Sequence, residues 1–398
     1  MLFSFSIVLM WKHVRSDTKL VRAIWFCLVV HHAVVFLNLY IPDASNFHGN
    51  GAHLAALPEP EWFSEISNGA VNYIHSLAFI YRIFGASLFL GDELSVLAFV
   101  LSCVVLVKLV EHLELRRFRV GIVLFFGLLP SAVIFRSVTL RESWQALFFL
   151  LIVYWAIRLR KRPGIRNVLV LLMSAICMAL LHHGLARYAV YLIVISLYWG
   201  IFSRKKSVRW ARHLRFLFTG ILVVCVILLA QKLGWFMSIE QAFETTARMR
   251  ESLLIHYDVR TVYGFTLDTS SVYGLVTTIP MIFIQYMFAP FPWQAENAMD
   301  VCALLESMLR FALFFFAISS WWRSSGEARS CYSFLFIAFL GMELVWALGT
   351  INWGTAIRHH IPGYGVFVLL GAPRLILFMQ QFQLGMFGRR KDSTTLPE

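Results

Sequence analysis

An apolar composition, apolar runs of helix length, and basic residues confined to short loops predict an all-α polytopic integral membrane protein. Hydrophobic residues make up 59% of the 398-residue chain and charged residues 14%, with a mean hydropathy of +0.70. A soluble core cannot absorb that much apolar surface, whereas a bundle of about 10–12 transmembrane or re-entrant helices can. A β-barrel would alternate polar and apolar residues along each strand, and that pattern is absent. The net charge of +13 invites a nucleic-acid reading. Its clustering in turns between apolar runs is instead the positive-inside pattern of a membrane protein, so no nucleic-acid partner is expected.

Residues 1–11 are apolar but have neither a basic leader nor a small-residue cleavage site, so a shortened first span or an interfacial segment is expected rather than a signal peptide. Runs 20–41, 93–112, 142–158, 216–236, 301–322 and 333–352 are long enough to cross a bilayer. Runs 121–135, 167–181, 188–202, 272–290 and 364–383 are shorter or interrupted, as helices shielded by protein or lining a cavity can be. The loops 12–19, 116–119, 158–166, 203–215, 323–329 and 388–391 hold 22 of the 35 Lys and Arg residues. Setting these on the cytoplasmic side leaves 42–92, 136–141, 182–187, 237–271 and 353–363 outside. The weave closes only if 272–300, with Pro280, Pro290 and Pro292, is a re-entrant or interfacial hairpin. The whole chain, 1–398, then reads as one transmembrane domain with two sizeable outer segments, 42–92 and 237–271. Both are expected to contain helix: AVNYIHSLAFIYRIFG lying in the interface, and QAFETTARMRESLL.

The six cysteines, Cys27, Cys103, Cys177, Cys225, Cys302 and Cys331, lie in or beside apolar spans with no CxxC pair, and buried thiols are expected. No GxSxG elbow, phosphate-binding Walker loop or HExxH motif occurs. The basic loops are too short to fold into a nucleotide-binding domain, which disfavours transport driven by ATP.

The chemistry concentrates on the outer side. Beyond residue 92 the basic residues of the outer segments are Arg136, Arg141, Arg187, Arg248, Arg250, Arg260 and Arg358, with no lysine. Arginine is always charged and forked, which suits bidentate contact with phosphate. The bland alternative is that each one reaches lipid headgroups or a neighbouring acid. Arg187 follows His182 and His183 in HHGLAR, and Arg358 precedes His359 and His360 in AIRHHIP, so several turns place arginine and histidine at similar depth. In FRSVTLRESW, Thr139 and Glu142 have capping-box spacing, which would explain Glu142 without chemistry and leave Arg136 and Arg141 at the positive end of a helix. Asp43 opens the first outer loop, as a general base, a cation ligand, or simply a turn residue after Pro42. Glu59, Glu61 and Glu65 read as a solvated face, and Asp92 and Glu93 as carboxylates stabilised by a helix start. His48, His53 and His75 are too irregularly spaced to predict a metal site.

A span, a long outer loop opening with Asp43, and NYIHSLAFIYRIFGAS leading into the next span resemble the GT-C superfamily of polytopic glycosyltransferases. LLPSAVIFRSVTLRESW, MFAPFPWQAENAMDVCALLESML and NWGTAIRHHIP are similar to stretches of bacterial O-antigen and exopolysaccharide polymerases, over roughly residues 38–362. The resemblance implies an enzyme of the bacterial inner membrane, its site facing the periplasm, that uses polyprenyl-phosphate- or polyprenyl-diphosphate-linked saccharides as donor and acceptor. It implies Asp43 as base, with His359 beside it as a second catalytic candidate. Arg136, Arg141, Arg187 and Arg358 would hold the carrier phosphates, with His182, His183, Arg248, Arg250 and Arg260 as further candidates. It also implies a chain-length regulator and a flippase as partners. No cofactor is expected; a single Asp stands where many members carry an acidic pair, so a divalent cation is left open. A single-sugar transferase using a polyprenyl monophosphate and a flippase for lipid-linked oligosaccharide are the alternatives.

Overall fold

The computed structural model describes residues 17–57, 69–202, 239–256 and 261–388. The expected span 216–236, the segment 1–11, the basic loop 203–215, Glu59, Glu61, Glu65, Cys225 and Arg260 lie outside the described residues. Among those described the chain is helical throughout, and its only extended pairing is one antiparallel bridge between Val262 and Asn352.

The carboxylate of Asp17 accepts the Lys19 N–H and starts α1, Thr18–Leu37. Asn38, left-handed at φ 48°, stops it short of the full apolar run. Pro42 then occupies the first turn of α2, Pro42–Ala56, which packs on α3, Gly69–Phe84, through Gly51 against Leu77 and Phe47 against Tyr73. The described residues of the segment 42–92 are therefore largely helical, as expected. α4, Leu88–His112, begins five residues before the apolar run that predicted it. The run 121–135 is divided at Pro130 into α5, Arg119–Leu128, and α6, Pro130–Phe135. α7, Glu142–Lys161, α8, Ile165–Leu180, and α9, His183–Leu197, follow, the last extended by a π turn over Tyr198–Phe202. After the polar helix α10, Ile239–His256, come α11, Val272–Phe288, α12, Ala298–Arg323, α13, Gly326–Gly349, the short α14, Trp353–His359, and α15, Ile361–Gly388.

Six of these helices are long and apolar enough to cross a membrane: α1, α4, α7, α12, α13 and residues 361–383 of α15. The protein is an all-α, multi-pass membrane protein. α4, α7 and α15 form the centre, and α12 turns Leu305, Phe311 and Phe315 outward, as a lipid-facing helix does.

Side-chain contacts sort the turns into two faces. Asp17 pairs with Arg119, Lys161 Nζ donates to the His112 carbonyl at 2.6 Å, and Arg160 Nη2 donates to Glu327 Oε2 at 2.7 Å. These bonds gather the basic turns at one end of the bundle. At the opposite, distal end, Asn72 donates to the Leu180 carbonyl at 2.8 Å, and the Tyr263 N–H donates to Ile351 at 2.7 Å. α11 leaves from residues 261–263 at this end, and the chain returns there at Asn297, the N-cap of α12. Between those points it dips until the Met287 carbonyl accepts from Arg310 Nε at 2.9 Å. The segment thus starts and finishes at the same end of the bundle. Pro280, expected to break it, sits inside α11, and the helix ends at Phe288.

The tightest join is between α12 and α15, where Gly371 lies against the Leu313 backbone. A Cβ at Gly371 would fall on the Leu313 carbonyl oxygen, which cannot rotate away. Gly371→Ala is expected to cost about 1–3 kcal/mol, read as a lower unfolding midpoint in detergent. Gly49→Ala, whose added Cβ meets open space, should leave the midpoint unchanged or slightly raised.

Candidate functional site

The distal ends of five segments meet around Arg358. Asp43 is in the first turn of α2, where a carboxylate is favoured by the helix dipole, so it is a helical residue and not a turn former. Residues 136–141 are held down on α4, with Thr139 Oγ1 donating to Asp92 Oδ1 at 2.7 Å and the Leu140 N–H donating to Ser95 Oγ at 3.3 Å. The capping box expected from Thr139 and Glu142 does not form, because the Thr139 hydroxyl is spent on Asp92 and Arg141 occupies the N-cap position. Glu142 turns instead to Arg358, with Oε1 3.2 Å from Nε, while Arg358 Nη1 donates to Asp43 Oδ2. The Glu142 side chain is 1% exposed and that of Asp43 is 51% exposed, so one guanidinium joins a buried acid to an open one.

Arg141 stands beside this pair. Its Nη1 donates to the Leu181 carbonyl at 3.2 Å, and its guanidinium lies 5.6 Å from the Phe47 ring centroid. His182 caps α9 through Nδ1, which accepts the Gly184 N–H at 3.1 Å. Its ring lies 4.7 Å from Trp346, which stacks on His359 at 4.1 Å, and Thr350 Oγ1 is 2.7 Å from His359 Nδ1. Arg141 Nε, Glu142 Oε2, Ser143 Oγ and both amide atoms of Gln145 are buried without a protein hydrogen-bond partner. Buried groups of this kind are almost always satisfied in proteins, so their concentration in the first turn of α7 sets this turn apart as a candidate site.

The charges in the cluster balance, two arginines against two carboxylates, and this shapes the titration of the rest. Burial pulls Arg358 down, but Glu142 and Asp43 outweigh it and hold the guanidinium above its ordinary range. Burial lowers Arg141, partly offset by Glu142. His182 is pushed down to about 3 by burial and then by Arg141, His183, Arg358 and Arg187. His359 is held well below its ordinary value by burial, then by Arg358, His182 and Arg141. Both imidazoles are neutral near pH 7, and His359 is a weak base locked in a stack rather than an acceptor poised for a proton.

The other residues singled out from sequence fall elsewhere. Arg136, expected at an outer phosphate grip, is 1% exposed; Nη1 donates to the Phe126 carbonyl at 2.8 Å and the guanidinium lies 4.0 Å from the Phe126 centroid. It braces the α5–α6 break and cannot reach a ligand at the distal surface. Arg250 is also buried, donating to the Ala347, Leu348 and Thr350 carbonyls at 2.7–3.2 Å, so it clamps the end of α13. Arg248 is exposed and pairs with Glu244 at 3.0 Å. His183 is exposed and Arg187 half-buried in the second turn of α9; both act on His182 by charge, without joining the cluster. Asp92 and Glu93 are not at a helix start but buried in the second turn of α4, Asp92 under Thr139 and Glu93 3.1 Å from His32 Nε2. Among the described residues no three His, Cys, Asp or Glu side chains come together as metal ligands, and Asp43 and Glu142 are both turned onto Arg358.

Glu142, Trp346 and Thr350 are the members of the site that sequence reasoning missed. The only available signal was a glutamate opening a span, and the capping pattern explained it away. No protein-family model matches the chain, and neither does any curated protein or solved structure.

The His182 cap carries a pH dependence of definite sign. Its folded value lies below the ordinary 6.5, so the unfolded chain takes up the proton first and stability falls as pH drops from 6.5 towards 3. His182→Asn keeps a capping acceptor but does not titrate. Between neutral pH and pH 5 the wild type should lose about 2 kcal/mol more than this variant, measured by thermal unfolding in detergent. Equal acid losses would show that His182 does not hold the cap as a neutral ring.

Proposed function

We propose that this protein is a membrane glycosyltransferase that acts on polyprenyl-diphosphate- or polyprenyl-phosphate-linked glycans at its distal face. In this reading it is a bacterial inner-membrane polymerase of surface-polysaccharide repeat units, working on the periplasmic side with a flippase and a chain-length regulator. The observation that carries the reading is the convergence of Asp43, Arg141, Glu142 and Arg358, from three separate segments, at one end of a membrane bundle. Ionisable groups are costly there and persist where a function needs them.

The arrangement supports a specific sequence of events. Glu142 holds Arg358 from the buried side, and Asp43 covers its exposed side. A carrier diphosphate arriving beside Arg141 competes with Asp43 for the Arg358 guanidinium. Once displaced, the Asp43 carboxylate has lost its cation and can take the proton from an acceptor-sugar hydroxyl. The acceptor oxygen bonds to the anomeric carbon of the donor as the bond from that carbon to the phosphate oxygen breaks. The electron pair leaves with the diphosphate, and Arg141 and Arg358 stabilise the charge that builds there. The carrier–sugar bond is already activated, so no nucleotide is consumed.

Asp43→Asn removes the base and Arg141→Ala removes a phosphate contact; each should lower product by roughly 10²–10³-fold with unchanged membrane abundance. The measurement is the ladder of polymer length in cells that lack their own copy, with membrane abundance followed by immunoblot. Arg141→Lys should restore part of the loss, because charge survives while the fork does not. A lipid-linked oligosaccharide flippase needs the arginines but no base, so normal product from Asp43→Asn together with loss in Arg141→Ala would move the assignment to transport. Normal product from both variants would remove the transferase reading.

A further inference from the structure

The basic end of the bundle, opposite the arginine cluster, holds a concave site of its own. A cavity of about 430 Å³ lies between the last turns of α4 and α7, lined by His112, Tyr154, Arg158, Lys161 and Arg162. Positive charge at this end is what membrane topology asks for, and a helix C-terminus favours it. Neither rule gathers side chains from two helices around one hollow.

The lining is organised around Tyr154, which is 8% exposed. The His112 ring stacks on it at 5.5 Å, and Arg158 Nη1 donates to its hydroxyl at 3.4 Å. The Arg158 guanidinium also lies 4.9 Å from the Trp155 centroid. The bond from Lys161 Nζ to the His112 carbonyl joins α4 to α7 at the cavity. Arg162 caps α7, and its carbonyl accepts from Asn167 Nδ2 at 2.6 Å, which fixes the turn into α8.

Arg160, in the same turn of α7, shows the contrast. It lies over Trp199 and gives Nη2 to Glu327 at 2.7 Å, so its charge is neutralised within the protein. Arg158 is held on aromatic rings instead, a contact that orders the guanidinium and keeps its charge. Among the described residues, the charges that act on His112 are Lys161, Arg158 and Arg162 against Glu111. The segment 203–215, which follows the π turn in sequence, contains six Lys and Arg and no Asp or Glu. An anion entering the cavity meets a guanidinium fork, an ammonium and a phenol, a donor set that suits phosphate.

Depth points to the source of that phosphate. His112 closes the span of α4 and Lys161 the span of α7, so the cavity lies where spans end, at the level of lipid headgroups. We infer that this cavity binds the phosphodiester headgroup of an anionic phospholipid, with Arg158 and Arg162 as its anchoring cations. The site is independent of the transferase reading, which concerns the other end of the bundle.

Native mass spectrometry of the full chain in detergent counts the lipids retained as phosphatidylglycerol or phosphatidylcholine is titrated in. The wild type should take up one phosphatidylglycerol before any other, in preference to phosphatidylcholine. Arg158→Ala and Arg162→Ala should each raise its half-saturating concentration about tenfold. Arg158→Lys should recover part of the loss, because charge survives without the fork. Arg117→Ala, which removes an exposed arginine at the same end but outside the cavity, should change nothing. The thiols report folding of each variant by peptide mass spectrometry. Cys302, exposed contrary to the expectation that the thiols are buried, should react with N-ethylmaleimide while buried Cys27 and Cys103 do not. Equal retention of the two lipids by the wild type, or equal weakening by Arg117→Ala, would overturn the inference, since charge at this end would then act without a site. Displacement of the lipid by inorganic phosphate, but not by chloride at the same ionic strength, would overturn it in favour of a free anion. The wild-type comparisons decide the matter even if a variant does not fold.

Discussion

One guanidinium held between two carboxylates is the constraint on which the distal end of this protein depends. Glu142 is buried at the first turn of a membrane-crossing helix, and a carboxylate left there without a cation would cost several kcal/mol. Arg358 supplies the cation from α14. The same guanidinium reaches on to Asp43, and so ties the start of α2 to the start of α7 and to α14. Asp43, the most exposed of the three, is the member whose bond can be given up at least cost, which is why the proposed chemistry begins there.

The remaining distal arginines show a different use of the same residue. Arg136 and Arg250 are buried, and both spend their N–H groups on backbone carbonyls, Arg136 beside the break at Pro130 and Arg250 at the end of α13. Irregular backbone inside a membrane bundle leaves carbonyls that water cannot satisfy, and a five-donor side chain is the most economical answer. The exclusive use of arginine on this side therefore has two causes. Arg141 and Arg358 converge on the candidate site, and Arg136 and Arg250 satisfy carbonyls of irregular backbone.

The all-α membrane architecture and the helices α2, α3 and α10 were legible in sequence because each follows from hydropathy and local pattern. The site was legible only in part. Asp43, Arg141, Arg358 and His182 drew attention as polar residues where the bilayer rules do not ask for them. Their pairing was out of reach, since Arg358 and Asp43 are 315 residues apart and nothing local specifies the contact. Glu142 was misread for a related reason. The spacing of Thr139 and Glu142 satisfies a local rule, but a buried Asp92 on another helix competes for the same hydroxyl and wins. Arg136 failed in the opposite sense, since its loop position said nothing about the direction of its side chain, which runs back into the core beneath Phe126.

The chemistry proposed for the arginine cluster assumes that Arg358 and Glu142 are energetically coupled, and a double-mutant cycle on unfolding in detergent measures that coupling directly. Arg358→Ala alone should cost about 3–5 kcal/mol, because it strands a buried carboxylate. In a Glu142→Gln background the same change should cost less by about 1.5 kcal/mol or more, since no charge is left to strand. Costs that add to within about 0.5 kcal/mol would contradict the account, since the two residues would then be neighbours without being partners.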